Sequence, residues 1–370
     1  MKISLATLFL LTALPTHAFA QDRRGACESC RVSMQQVARL GEADGPGAIG
    51  GALRSIALDS RNRYWVLTEN DLPLVFDSAG NFIAEVGSQG IGPAEFRYPV
   101  KVVRLAGDSM LIIDAGTRRA TVVSPSLLPA RTISLPNGQV WDVVVEVWPK
   151  RLVFNALFQG AAAAGWPLHL VDMSGATAQI VKSFGANHGE MRLGQSASLF
   201  QYLTHPREGR FWAGSMVRYE IQGWSSSGTL IKSVERTPEW FGSQVNPYSI
   251  GNRNTPPPPK MRGISDADGD LWIVFHVPQI NWREAWVGVP TLPPSSAPRE
   301  VPSGRYSPSP TKLLRTRIDV LDIENGTLLS SAFIDRLVMN AFADGYFAAW
   351  HEDANGVPAI LIYRARLTRS

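Results

Sequence analysis

Residues 76–99 read FDSAGNFIAEVGSQGIGPAEFRYP. A polar turn, Asp77-Ser78-Ala79-Gly80, precedes an alternating apolar run, and glycines at 87, 90 and 92 then crowd around Pro93. Alternation with period two is the mark of a half-buried strand. Glycine accepts positive φ and proline fixes a bend. The ending therefore predicts a tight crossing between strands, where Gly87, Gly90 and Gly92 can take positive φ and Pro93 fixes the bend. Immediately upstream, 55–70 (SIALDSRNRYWVLTEN) reads as strand, polar turn, strand, and 72–87 as strand, glycine turn, strand. The two hairpins make one four-stranded meander that ends in the glycine knot.

The same order returns five times: over 100–136; from near Val140, resuming at Pro167; over 200–237; over 260–275 with 316–335; and over 337–353 with 357–370. Two landmarks recur. One is a polar turn before an aromatic second strand, at Tyr64-Trp65, Phe211-Trp212, Leu271-Trp272 and Tyr346-Phe347. The other is an Asp- or Ser-containing glycine turn after the third strand, in FDSAG, VDMSG, WSSSG and LDIENG. One such meander cannot bury its apolar faces alone, whereas packing repeats around an axis buries them and removes most sheet edges. The predicted fold is all-β: a six-bladed β-propeller of four-stranded antiparallel blades, one domain over 31–368. The sixth unit has three strands of its own. Residues 31–41 (RVSMQQVARLG) are expected to supply its outer strand and close the ring.

The ending of the first unit resembles that of NHL-type repeats, Gly-x-Gly-Pro-x-x-Phe, matched here by Gly90, Gly92, Pro93 and Phe96. The other units are eroded; 184–194 keeps only Gly185 and Gly189. The chain also resembles secreted bacterial six-bladed propellers of the TolB-like superfamily, including the lead segment of their uncharacterised members. The resemblance implies fold, not reaction.

Residues 1–20 combine Lys2, an apolar stretch and small residues at Ala18 and Ala20, the pattern of a secretory signal cleaved after Ala20. No segment reads as a membrane span, so the mature chain is expected to be secreted or periplasmic. The lead 21–30 holds both cysteines, Cys27 and Cys30, which favour a local disulfide in an oxidising compartment. Haem attachment would need a histidine where Arg31 stands, and two thiolates alone do not complete a zinc site. Without Lys2 the chain carries 35 basic and 32 acidic residues, too even a balance to imply nucleic acid.

A blade's B–C and D–A connections emerge on one face, and its A–B and C–D turns on the other. The long stretches of this chain, including a Pro- and Ser-rich insertion at 288–311, all fall on the first. Long loops of compact domains tend to carry function. They hold Trp166, Trp240, Phe241, Tyr248, Trp282, Trp286 and Tyr306, with Arg253 and Arg283 among them, which suits a protein, peptide or glycan partner. The competing reading folds the same aromatics inward as a cap on the channel. His188 with Glu190, and His276, lie on the same side. No two histidines have metal-ligand spacing, so no cofactor is expected and no chemistry is assigned. A divalent metal enters only under the alternative of a hydrolase or lyase like gluconolactonase or amidating-lyase propellers. DADGD, Asp266 to Asp270, lacks the spacing of a calcium loop and reads as a tight A–B turn.

Overall fold

The computed structural model describes residues 27–69, 72–160, 162–186, 199–242, 249–287, 289 and 308–369. The expected signal 1–20, the start of the lead and most of the 288–311 insertion lie outside them. Six four-stranded antiparallel sheets form the blades. From inner to outer strand, blade 1 is Leu53–Leu58, Tyr64–Thr68, Leu74–Phe76 and Phe82–Glu85. Blade 2 is Pro99–Arg104, Met110–Asp114, Arg119–Val123 and Pro129–Ser134. Blade 3 is Gly138–Trp148, Arg151–Phe158, Leu168–Asp172 and Gln179–Phe184; blade 4 is Gln201–Leu203, Arg210–Ser215, Glu220–Ser225 and Leu230–Glu235. Blade 5 is Lys260–Ala267, Asp270–Pro278, Leu314–Asp322 and Leu328–Ile334. Blade 6 is Leu337–Phe342, Tyr346–Glu352 and Pro358–Thr368, completed by Arg31–Leu40 from the other end of the chain. Its register runs from Arg31 opposite Thr368 to Leu40 opposite Ile360. The two cysteines are bonded just before this strand. Each inner strand touches the inner strand of the next blade, and that of blade 6 touches blade 1.

The second strands explain why the ring is stable. They are buried on both faces, Trp65 and Phe211 completely. Each gap between neighbouring blades is filled by one apolar cluster. Trp65 and Leu67 of blade 1 meet Val102, Met110 and Ile112 of blade 2, and Trp272 of blade 5 meets Phe347 of blade 6. Each fully buried large side chain contributes about 1.5–3 kcal/mol by leaving water. Six such interfaces replace the single core of a sandwich.

The repeated turns work by side-chain capture of the backbone. Asp77 accepts the amides of Ala79 and Asn81 at 2.9 and 2.8 Å. Asp322 does the same for Glu324 and Asn325, and Asp172 for Ser174. These are the hydrogen-bonded Asx turns expected from the sequence. Asp59, buried in the first A–B turn, accepts from the Arg61 and Arg63 amides, Arg63 Nε and the Trp65 indole. Burial pushes its pKa up, but the bonds from Trp65 and Arg63 outweigh this and hold it below the usual carboxylate value.

Two details differ from the sequence expectation. In the glycine knot, Gly87 and Gly90 have φ of +85° and +152°, but Gly92 does not; Ala94, at +64°, takes the third left-handed position. The Gly92 amide donates to Glu95 Oε2 at 2.7 Å, and it is at Gly90 that an added Cβ would run into the same carboxylate. The crossing thus folds back on itself as a two-residue parallel ladder, Ser88–Gln89 against Glu95–Phe96. In DADGD, only Asp268 and Gly269 form the turn, both with positive φ. Asp266 belongs to the inner strand and is buried, and Asp270 is paired with Arg369.

Candidate binding face

Connections on the A–B and C–D side range from the two residues Asp268–Gly269 to the six of 173–178. Those on the opposite side include 86–98, 185–200, 236–259 and 279–313. This second side, the loop face, carries the expected site residues in unequal ways. His188, Glu190, Tyr248 and Tyr306 lie outside the described residues. Trp166 sits half-buried on the B–C connection of blade 3, with blade 4 between it and the blade 5 loops.

Trp240 turns inward. Its ring meets Phe275 at 5.1 Å and Tyr219 at 6.2 Å, and the Arg317 guanidinium lies 4.5 Å from its centre. Arg317 is fixed by Asp319 at 2.7 Å, and Asp319 also accepts from Tyr219 and Ser331. Trp240 and Phe241 therefore wedge blades 4 and 5 together, the inward arrangement of the competing reading. Trp282 is also buried, with the Arg283 guanidinium 4.8 Å from its ring centre. Trp286 closes a short 3₁₀ turn, Glu284–Trp286, and stays half-buried. Beside it, Ile280 and Val287 are 85% and 82% exposed, more than any other large apolar residue described. Arg253 donates from Nη2 to the Val289 carbonyl and so ties the 236–259 connection to the 279–313 connection.

Between these loops and blade 6 lies a cavity of about 610 Å³. Ser249, Ile250 and Pro257 wall one side, and Pro308, Pro310 and Leu313 another; Leu337 and Met339 line it from blade 6. Lys260, Arg262, His276 and Glu352 are its charged or titratable members. Lys260 and Arg262 flank the fully buried Met261, Arg262 at a register irregularity between Met261 and Gly263, and both side chains line the cavity. Desolvation, then the neighbouring Arg262, pushes Lys260 down to about 8. His276 is buried, and burial with Arg262 and Lys260 nearby holds it well below the ordinary imidazole value. It is neutral, and its Nε2–H donates to the Val338 carbonyl at 2.7 Å, which leaves Nδ1 as an acceptor.

Two other cavities are less suited to a ligand. The channel end near the A–B turns holds a space of about 30 Å³, enough for roughly one water. It gathers Lys101, His205, Asp266 and Asp344, with Arg207 3.5 Å from Asp266 and 3.8 Å from Asp344. Burial pushes Asp266 up and His205 down to about 4, in the latter with help from Lys101. A cavity of about 370 Å³ between blades 2 and 3 has its polar groups already engaged. Glu146 accepts the Ala106 and Lys150 amides there, and Arg131 donates to the Met173 and Ser174 carbonyls. Among the described residues, no three of His, Cys, Asp and Glu form a group that could hold a metal ion. No described helix is long and apolar enough to cross a membrane.

Of this constellation the sequence pointed to His276, Arg253 and the loops, but not to Lys260, Arg262 or Glu352. No protein-family model and no curated protein matches the chain. Among solved structures, a "Putative exported protein" from Bacteroides fragilis is similar over 93% of this chain and 97% of its own, with 9% identity and a TM-score of 0.56. A catalytically inactive virginiamycin B lyase from Staphylococcus aureus, with quinupristin, aligns over 90% of this chain and 99% of its own at 10% identity and a TM-score of 0.47. At 9% identity the likeness to the first of these is one of fold alone, and the six four-stranded sheets of this chain make it a six-bladed β-propeller.

Proposed function

We propose that the protein is an extracytoplasmic binding or scaffold protein that takes an extended peptide across the loop face of blades 5 and 6. The observation that carries this reading is the convergence of the two longest connections, 236–259 and 279–313, around one cavity of about 610 Å³. Pockets for specific ligands fall in this size range and combine apolar walls with a few polar groups. The exposed Ile280 and Val287, on the same 279–313 connection as Trp286, offer apolar area that a peptide side chain can cover. Residues 1–20 support export, and Gly90, Gly92, Pro93 and Phe96 support placement with the NHL-like secreted propellers.

The test is a panel of labelled unstructured peptides screened by fluorescence polarisation against the mature chain and against an Ile280→Ser, Val287→Ser double variant. Both positions are solvent-exposed, so the variant's melting temperature should match the parent. Binding should weaken at least tenfold. Unchanged affinity for every peptide that binds the parent would sink the assignment to this face.

A further inference from the structure

Resting on that peptide-binding reading of the loop face, we infer that the blade 5–6 cavity captures a carboxylate carried on an apolar body, by Lys260 and Arg262. Two cations of one strand line the same half-open pocket. The only acid among the described lining residues is Glu352, whose Oε1 already accepts from the Trp350 indole at 3.0 Å. His276 adds no charge, because its environment keeps it neutral. Among the described lining residues the cations thus outnumber the acids, which favours an anionic group in this space.

Arg262 adds a specific vacancy. Its Nε is buried and has no hydrogen-bond partner among the described residues. A buried guanidinium N–H without an acceptor costs free energy that an incoming oxygen recovers. The planar fork of arginine matches a carboxylate in two parallel bonds, whereas lysine acts as a point charge beside it. The rest of the wall excludes a bare inorganic anion as the best fit. Ile250, Leu313, Leu337 and Met339 with three prolines offer an apolar lining that only a ligand with a hydrophobic body would use. A peptide C-terminus ending in an aliphatic residue and a medium-chain fatty acid share this chemistry.

The experiment uses the mature chain and four probes: acetyl-Ala-Leu-Leu with a free carboxylate, its C-terminal amide, octanoate and octanamide. Calorimetry should show each acid binding at least tenfold more tightly than its amide, and Arg262→Ala should remove most of that difference. Arg262→Lys should restore part of it, and circular dichroism melts report whether the variants fold. The two acids identify the source: a preference for the tripeptide indicates a C-terminus, and a preference for octanoate a fatty acid. Equal affinity for acid and amide, no binding of either acid, or an Arg262→Ala variant that folds and keeps the difference would overturn the inference. Peptides that bind regardless of their terminal group would leave the loop-face reading standing while this inference falls. Octanoate binding without any peptide binding would do the reverse.

Discussion

The two faces of the wheel are made by the same chain at the two ends of the same strands, yet they are built on opposite rules. On the turn face, connections of two to six residues are satisfied internally, by Asp59, Asp77, Asp172 and Asp322 gripping nearby amides. On the loop face, connections reach the length of 279–313, cations share a cavity, and Arg262 Nε has no hydrogen-bond partner among the described residues. The turn face fills most of its hydrogen bonds itself, with Asp266 Oδ1 at its channel end an exception among the described residues. The loop face is held less completely by its own atoms, which is the physical condition for specific binding.

The largest expected effect comes from breaking the satisfied side. Asp59→Ala removes the acceptor of the fully buried Trp65 indole and of Arg63 Nε. Orphaned buried donors cost about 1–3 kcal/mol each. Chemical denaturation should show a loss of about 3 kcal/mol. A variant within about 0.5 kcal/mol of the parent, the range of ordinary surface changes, would show that the turns follow the fold rather than fix it.

Acid separates the two faces next. Asp59 has a folded pKa below its ordinary 3.8, so its contribution is present above that value and is lost only as pH falls further. His169, at the loop-face end of a blade 3 strand, is fully buried, bonded to Ser183 and Ala156, and depressed by desolvation to about 4 from 6.5. The unfolded chain takes up that proton first, so stability falls as pH drops from 6.5 to 4 and His169 adds no further loss below. At about 1.4 kcal/mol per pH unit the loss from His169 is at most about 3.5 kcal/mol. Urea midpoints at pH 7 and 4.5 should converge in His169→Gln relative to the parent. An unaltered pH dependence would remove His169 from the account, leaving His205, His276 and His351, the other described histidines that desolvation holds below the ordinary value.

The contrast also explains what could be read in advance. Period-two alternation and Asx turns are local, so Asp77, Asp322 and the closing strand from Arg31 were visible in sequence. The same locality misled at Gly92 and Ala94, where the conformation depends on Glu95 folding back over the loop. Lys260 and Arg262 look like the outward residues of any strand. Their meaning depends on Leu337, Met339 and Glu352 of the next blade, and no local pattern encodes that juxtaposition. Trp240 shows the same limit: its proline-rich loop allows either a ligand contact or an inward cap, and the packing of its ring against Phe275 and Arg317 depends on residues distant in sequence.

The smallest expected effect tests whether the loop face is independent of the scaffold. The second and third strands of blade 5 stay in register out to Pro278 opposite Leu314, and the Gln279 amide adds a bond to the Leu313 carbonyl. The hairpin is thus closed below the insertion. Replacing 291–306 by a glycine-serine linker of half that length changes only the closure entropy of a loop, about 0.6 kcal/mol for a twofold change in length. Denaturation midpoints should shift by no more than this, while carboxylate binding to Lys260 and Arg262 persists. A loss of several kcal/mol would mean that the insertion packs as part of the wheel, and the division into a self-satisfied face and a ligand-completed face would no longer describe the molecule.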